Sequence, residues 1–159
     1  MYKRQGTGSA LTLDASSSFE DASGASYPAG TGLVVQPGSA AHTIAANIDL
    51  GSSQTWEINN SGSNPLTVSG VIGNGAGSDS LTITGVGELI LSSPETYSGG
   101  TIVEGGTLAL GVSNALLTTG NLTVTGTGGS GGTFNLAGFN QTVGSLSDGG
   151  ARDVYKRQP

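Results

Sequence analysis

Residues 85–91 read GVGELIL, and the pentapeptide GELIL within them returns as GTLAL at residues 106–110. In each copy a glycine is followed by two leucines that stand two positions apart. Side chains at positions i and i+2 lie on one face of a β-strand, so each copy predicts a short strand with one apolar face. The repeat further predicts that successive strands stack at a regular interval along the chain.

The same alternation of apolar and small polar residues recurs along most of the chain. Further apolar pairs stand at Leu11 and Leu13, Leu66 and Val68, Leu81 and Ile83, Leu122 and Val124, and Phe134 and Leu136. Glycine accounts for 29 of the 159 residues. Each glycine inside a helix costs about 1 kcal/mol against alanine, which disfavours helices. Disordered chains are also rich in Gly and Ser, but disorder would not keep this alternation. We therefore predict an all-β protein.

Two all-β architectures fit strands of about three to five residues whose starts are roughly 8 to 14 positions apart, the sandwich and the parallel β-solenoid. Aromatic residues make up only 5% of the chain, which favours the thin aliphatic interior of a solenoid over the core of a sandwich. With about 20 residues in each coil, residues 6–151 predict about seven coils, each of which is stabilised by its neighbours.

The repeat continues into TYSGGTIVEGGTL at residues 96–108, and together these segments resemble the autotransporter-associated β-strand repeat, also called the passenger-associated transport repeat. Similar flanks extend the resemblance to residues 56–147. The resemblance implies a right-handed parallel β-helix in the passenger region of a large bacterial protein. It also implies export to the cell surface or beyond through a C-terminal outer-membrane barrel, which is not in this chain. Family members usually carry Asn before the Thr-Tyr pair, where this chain has Glu95.

The chain divides according to how well it follows this pattern. Residues 56–150 are predicted to form a solenoid with the passenger-type repeat, and residues 6–55, which alternate without the motif, are predicted to form degenerate coils. The tetrapeptide YKRQ occurs near both ends. We therefore interpret residues 1–5 and 151–159 as non-native ends, and the rest as a fragment of a longer β-solenoid.

The distribution of charge excludes several classes of partner. The formal net charge is −6, yet residues 6–151 contain ten acidic residues and no Lys or Arg. Nucleic acids and anionic membrane surfaces are bound through cations, so we expect neither as a partner. No apolar run is long enough for membrane insertion. The partners that we expect are neighbouring coils of the same longer chain, and host or matrix glycans or proteins.

Four carboxylates are the best candidates for chemistry. The alternation predicts that they lie on the outer faces of neighbouring coils, at Asp79, Glu88, Glu95 and Glu104. The main alternative function, a β-helical polysaccharide lyase or hydrolase, would need paired carboxylates and usually a basic residue or a cation. No Lys or Arg accompanies them. We therefore expect no enzyme and no catalytic residue. We expect instead a rigid acidic spacer or adhesive surface that is extracellular or on the bacterial cell surface.

Two further features could suggest metal binding. Residues 74–81, NGAGSDSL, fit one copy of the nonapeptide of calcium-binding β-rolls, but such sites are shared between consecutive copies. His42 has no second His and no Cys to share a transition metal with, and we predict that it lies on a solvent-facing loop. We expect no metal site and no cofactor.

The motif residues are predicted to be structural. The ring of Tyr97 should cover a corner of a coil while its hydroxyl reaches water. The glycines of the motif should adopt positive φ at turns, and they are Gly99, Gly100, Gly105 and Gly106.

Overall fold

A computed structural model describes residues 11–21, 23–125 and 131–149. These residues form sixteen short β-strands and no helix, so none of them belongs to a helix that could span a membrane. The strands are β1 (Leu11–Leu13), β2 (Phe19–Glu20), β3 (Ser26–Tyr27), β4 (Thr31–Val35), β5 (His42–Ile44), β6 (Ile48–Leu50), β7 (Gln54–Ile58), β8 (Leu66–Val68), β9 (Ile72–Gly73), β10 (Leu81–Gly85), β11 (Glu88–Leu91), β12 (Thr101–Val103), β13 (Thr107–Leu110), β14 (Asn121–Val124), β15 (Thr133–Asn135) and β16 (Ser145–Ser147).

Fourteen of these strands belong to three parallel sheets. The six-stranded sheet contains β4, β7, β10, β12, β14 and β16, the five-stranded sheet contains β5, β8, β11, β13 and β15, and the three-stranded sheet contains β1, β6 and β9. The chain visits the three sheets in turn as far as β9 and then alternates between the six-stranded and the five-stranded sheet, so neighbouring strands in each sheet pair in parallel and come from successive turns. The turns stack into a parallel β-solenoid of about five turns, which confirms the predicted fold class.

The turns are longer and less regular than the sequence predicts. Leu89 pairs with Leu108 in the next turn, whereas Ile58 pairs with Gly85, which is considerably further along the chain. The difference lies in the connections, since residues 59–65 join β7 to β8 while residues 86–87 alone join β10 to β11. The prediction of about seven coils was therefore wrong, because insertions lengthen a turn without changing how its strands pair.

The core consists of apolar side chains stacked in columns along the solenoid. In β7, Gln54, Trp56 and Ile58 are buried, while the two residues between them are partly exposed. The strand register places Trp56 opposite Ile83, and Ile83 opposite Val103 in the next turn. These three side chains are at most 1% exposed. A thin interior with few aromatic residues excludes water in this way, because each turn is covered by the next.

One hairpin departs from the stack. β2 and β3 pair antiparallel outside the three parallel sheets, and they lie between β1 and β4 in the chain. They lengthen the first described turn, in which Leu11 pairs with Ile48. The ends that we interpret as non-native, residues 1–5 and 151–159, lie outside the described residues.

Candidate functional site

Strands β10 to β13, within residues 81–110, form two closely stacked turns. Leu81 pairs with Thr101 between β10 and β12, and Leu89 pairs with Leu108 between β11 and β13. Hydrogen bonds join the connections of successive turns as well as their strands. The N–H of Gly105 donates to the carbonyl oxygen of Ile83 at 3.3 Å, and that of Thr107 donates to Gly87 at 2.8 Å. The backbones of successive turns therefore touch even between the sheets.

The four glycines of the motif serve two different purposes. Gly100 and Gly106 have φ of +91° and +65°, a left-handed conformation that favours glycine, as predicted. Gly99 and Gly105 do not have positive φ, so the predicted reason was wrong for them. A Cβ on Gly105 would lie 2.6 Å from the carbonyl oxygen of Gly85 in the preceding turn. These two positions exclude a side chain because neighbouring backbones approach each other there.

Tyr97 lies inside the solenoid rather than at a wet corner. Its side chain is 3% exposed, and its hydroxyl is 2.6 Å from the Oγ1 of Thr101, which is also buried. Burial raises the pKa of the Tyr97 phenol above its ordinary value. The prediction that its hydroxyl reaches water was therefore wrong. The alternation that hides Tyr97 also hides Glu95 two positions earlier, while Thr96 between them is exposed.

Glu95 is buried, which corrects the prediction that it lies on an outer face. It belongs to the segment between β11 and β12, residues 92–100, which we call the Glu95 corner. Its side chain is 3% exposed, its Oε2 accepts a hydrogen bond from the N–H of Ile72, and its Oε1 has no partner among the described residues. Burial raises the pKa of Glu95 to about 8, from an ordinary value of 4.5.

A sequence signal for this burial was present. Glu95 and Tyr97 stand two positions apart, so an inward Tyr97 implies an inward Glu95. The resemblance pointed the same way, since an Asn at this position is a residue that commonly hydrogen-bonds backbone groups. The general rule that carboxylates face solvent outweighed both signals, because ionised carboxylates are almost never buried without a partner.

The other three candidate carboxylates remain on the outside. Asp79 and Glu88 are partly exposed, and Glu104 is exposed. Within residues 11–21, 23–125 and 131–149, no group of three or more His, Asp or Glu residues could hold a metal ion. The outer surface of this region therefore presents separate carboxylates rather than an assembled centre.

The calcium-type motif folds into a turn that is closed by its own hydrogen bonds. The side-chain amide of Asn74 donates to the carbonyl oxygen of Gly77 at 2.9 Å and to the Oγ of Ser98 at 3.2 Å. The N–H of Gly77 donates back to the carbonyl of Asn74 at 2.9 Å. Asn74, 8% exposed, thus ties this turn to the Glu95 corner. His42 is exposed as predicted, but it begins strand β5 rather than lying on a loop, and it pairs with Leu66.

The two closely stacked turns correspond to a sequence repeat of a known family. Residues 81–110 match the family model of the passenger-associated-transport-repeat. We call this segment, residues 81–110, the passenger repeat after the family model that it matches. Neither the comparison with curated proteins nor the comparison with solved structures finds a significant match.

The passenger repeat accounts for β10 to β13 and for the Glu95 corner between them. Its inward positions carry the aliphatic columns, and its outward positions carry hydroxyls, carboxylates and isoleucines, including Thr82, Glu88, Ile90 and Ile102. The repeat is therefore a packing unit that supports a surface. Together, the repeat and the solenoid indicate a segment of an autotransporter passenger.

Proposed function

We propose that this segment acts as a rigid, acidic spacer in a bacterial protein that is secreted or displayed at the cell surface. The observation that supports this role best is the continuous column of buried side chains from Trp56 through Ile83 to Val103, which locks three successive turns together. A stack that buries each turn against the next resists bending, so it holds whatever lies at its two ends at a fixed separation.

The charge of the surface fits a spacer. No Lys or Arg occurs between residues 6 and 151, and the outward positions of the stack include Glu57, Glu88 and Glu104. A surface that carries only negative charge keeps copies of the chain apart and repels other anionic surfaces. The same absence of cations supports the proposal that the segment has no active site of its own. Lyases and hydrolases of acidic glycans usually use a basic residue or a bound cation to stabilise the negative charge that develops during the reaction.

Lengthening the solenoid would test the spacer role. Residues 81–100 make up one turn, so further copies inserted after Gly100 should each add one layer of roughly 5 Å, the spacing of neighbouring strands. Small-angle scattering on chains with one, two and three extra copies should show a linear rise in the maximum dimension. A flexible Gly-Ser insert of equal length is the control. A disordered chain of this size, with a radius of gyration of about 42 Å rather than about 15 Å, would contradict the proposal.

An adhesive role is the second candidate, and the β2–β3 hairpin favours it. Phe19 stacks on Tyr27 with ring centroids 4.9 Å apart, and it remains 39% exposed. Beside the rings, the amide of Gln36 donates to the Tyr27 hydroxyl at 2.5 Å and to Asp21 at 2.6 Å. An exposed aromatic face beside amide and carboxylate groups suits a sugar ring, which offers C–H groups to the aromatic face and hydroxyls to the polar groups.

Binding to a glycan array would test the adhesive role. Replacing Phe19 with Ala should abolish any binding that the full chain shows, because it removes the exposed ring face. Phe139 is 37% exposed and lies far along the chain from the hairpin, so Phe139→Ala is the matched control. Equal loss in both variants, or no binding by the wild-type chain, would leave the spacer as the function.

The carbohydrate-active alternative has its own test. The full chain should show no turnover of pectin-like or other acidic glycans in a lyase assay, and neither Glu88→Gln nor Glu104→Gln should change the background rate. Turnover that one of these variants abolishes would overturn the proposal that the segment is not an enzyme.

A further inference from the structure

The Glu95 corner joins three successive turns of the solenoid through one residue. The Oε2 of Glu95 accepts a hydrogen bond from the N–H of Ile72 in the preceding turn, and the N–H of Glu95 donates to the carbonyl of Ala115 in the next turn at 2.7 Å. Thr96 and Tyr97 add two N–H donations to the carbonyl of Ile72, at 2.8 and 3.2 Å. Any change in the protonation of this carboxyl group therefore affects the hydrogen bonds that join three successive turns.

No cation in this part of the chain can neutralise the buried carboxyl. Residues 6–151 contain no Lys or Arg, and His42 is exposed on β5. Strands β9 and β12 and residues 111–117 carry no titratable side chain. An ionised Glu95 would thus be a buried charge without a counter-charge, which is costly in an apolar interior. The titratable groups on the other elements around the corner are all acidic, and they are Asp49 on β6, Asp79 before β10, Glu88 on β11 and Tyr97 in the corner itself.

The second oxygen of the carboxyl points to the same conclusion. The Oε1 of Glu95 is buried and has no hydrogen-bond partner in the described part of the chain. A carboxylate spreads its negative charge over both oxygens, so an unpartnered oxygen leaves half of that charge without compensation. A neutral carboxyl group needs much less compensation, and its Oε2 still accepts the Ile72 hydrogen bond.

We propose that Glu95 is a proton-binding site that makes the closure of the Glu95 corner depend on pH. With the proton bound, the neutral side chain stays inside and residues 92–100 remain docked on the turns on either side. When the proton is lost, the carboxylate moves toward water and the corner detaches from Ile72 and Ala115. The strands of the three parallel sheets remain paired, because their columns do not include Glu95.

The direction of the pH dependence follows from the raised pKa. Glu95 has a pKa of about 8 in the folded chain and an ordinary pKa of about 4.5 when unfolded. Between these values the unfolded chain releases the proton and the folded chain keeps it, so stability falls as the pH rises. The contribution is complete below about pH 4.5 and is lost by about pH 8. Asp14 and Asp21 have pKa values lowered by hydrogen bonds from Ser16 and Ser23, so they act at lower pH.

Thermal unfolding of the full chain between pH 5 and pH 9 would test this site. The melting temperature of the wild type should fall on the order of 5–10 °C across this range. Glu95→Gln keeps the shape of the side chain and one oxygen that can accept the Ile72 hydrogen bond, but it carries no charge, so its melting temperature should be nearly constant. Glu104→Gln, at an exposed position of the same repeat, should follow the wild type. A wild-type curve without a slope, or a Glu95→Gln curve that keeps the slope, would overturn the proposal.

A second measurement needs no variant. Carboxyl ¹³C chemical shifts of the wild-type chain should give Glu95 a titration midpoint near 8, whereas a midpoint at the ordinary value would refute the site. Amide hydrogen exchange, corrected for its intrinsic pH dependence, should show Thr96 and Tyr97 losing protection from pH 6 to pH 9 while the amides of β11 keep theirs. Equal loss of protection in the Glu95 corner and in β11 would mean that the whole solenoid responds to pH, which would contradict local opening of the corner.

Discussion

The passenger repeat, residues 81–110, and the first described turn differ in how much chain separates paired strands. In the repeat Leu89 pairs with Leu108, whereas in the first turn Leu11 pairs with Ile48, which lies much further along the chain. The inward leucines of the repeat, such as Leu89, are fully buried, while Leu11 is only partly buried. The first turn nevertheless pairs in parallel, with its additional residues in the β2–β3 hairpin.

The comparison separates two demands on a solenoid sequence. Strand pairing requires only that apolar residues alternate, and this tolerates an inserted hairpin. Close stacking of the connections requires glycine where a Cβ would meet the backbone of the neighbouring turn, as at Gly99 and Gly105, and this restricts the residue types of a turn. The passenger repeat satisfies both demands without an insertion, which explains why its sequence is specific enough to match a family model, whereas the first turn carries the β2–β3 hairpin as an insertion.

The largest expected difference in stability concerns the stacked columns of apolar side chains. Leu89→Ala should reduce the free energy of unfolding by about 2–5 kcal/mol, because it leaves a cavity between fully buried neighbours. Leu11→Ala should cost no more than about 1 kcal/mol, since its side chain is already partly in water. Urea denaturation of both variants measures the difference. Equal costs would show that the two regions are packed alike.

A smaller effect is expected where backbones touch. Gly105→Ala places a methyl group against the carbonyl of Gly85 and should cost about 1–3 kcal/mol. Gly62→Ala is the matched control, because its added methyl group meets nothing within 4 Å and its φ is not positive. Thermal unfolding of the two variants compares them. If Gly105→Ala were as stable as Gly62→Ala, the close approach of the turns would not limit the sequence of the repeat.

The smallest effect concerns two tyrosine hydroxyls. Tyr97→Phe leaves the buried Thr101 hydroxyl without its partner and should cost about 1–2 kcal/mol. Tyr27→Phe removes a hydroxyl that donates to Asp21 at 3.2 Å and accepts from Gln36 at 2.5 Å. This hydroxyl lies on the partly exposed hairpin, where water can replace it, so we expect a cost of less than about 0.5 kcal/mol. Chemical denaturation resolves this difference. A larger cost at Tyr27 would mean that the hairpin is an integral part of the core.

Much of the fold could be predicted from local pattern. The alternation of Leu89 and Leu91, and its return at Leu108 and Leu110, indicated both the strands and their stacking, because the period of two is a property of the extended backbone itself. The number of turns could not be predicted in this way. It depends on how many residues each connection holds, and loops of different length close at nearly the same entropic cost.

The candidate site shows the same division. That a Tyr, several glycines and a Glu stand at set spacings near residue 100 was readable from the chain, and so was the absence of any Lys or Arg between residues 6 and 151. The spacing showed that Glu95 and Tyr97 share one face of the chain, but it did not show that this face is buried, since the burial of a side chain depends on the turns stacked above and below it. Ile72 and Ala115, which bond to Glu95, belong to the preceding and the next turn and are remote from it along the chain. Residue chemistry is a property of the sequence, but the environment that shifts the pKa of Glu95 exists only once three turns are stacked.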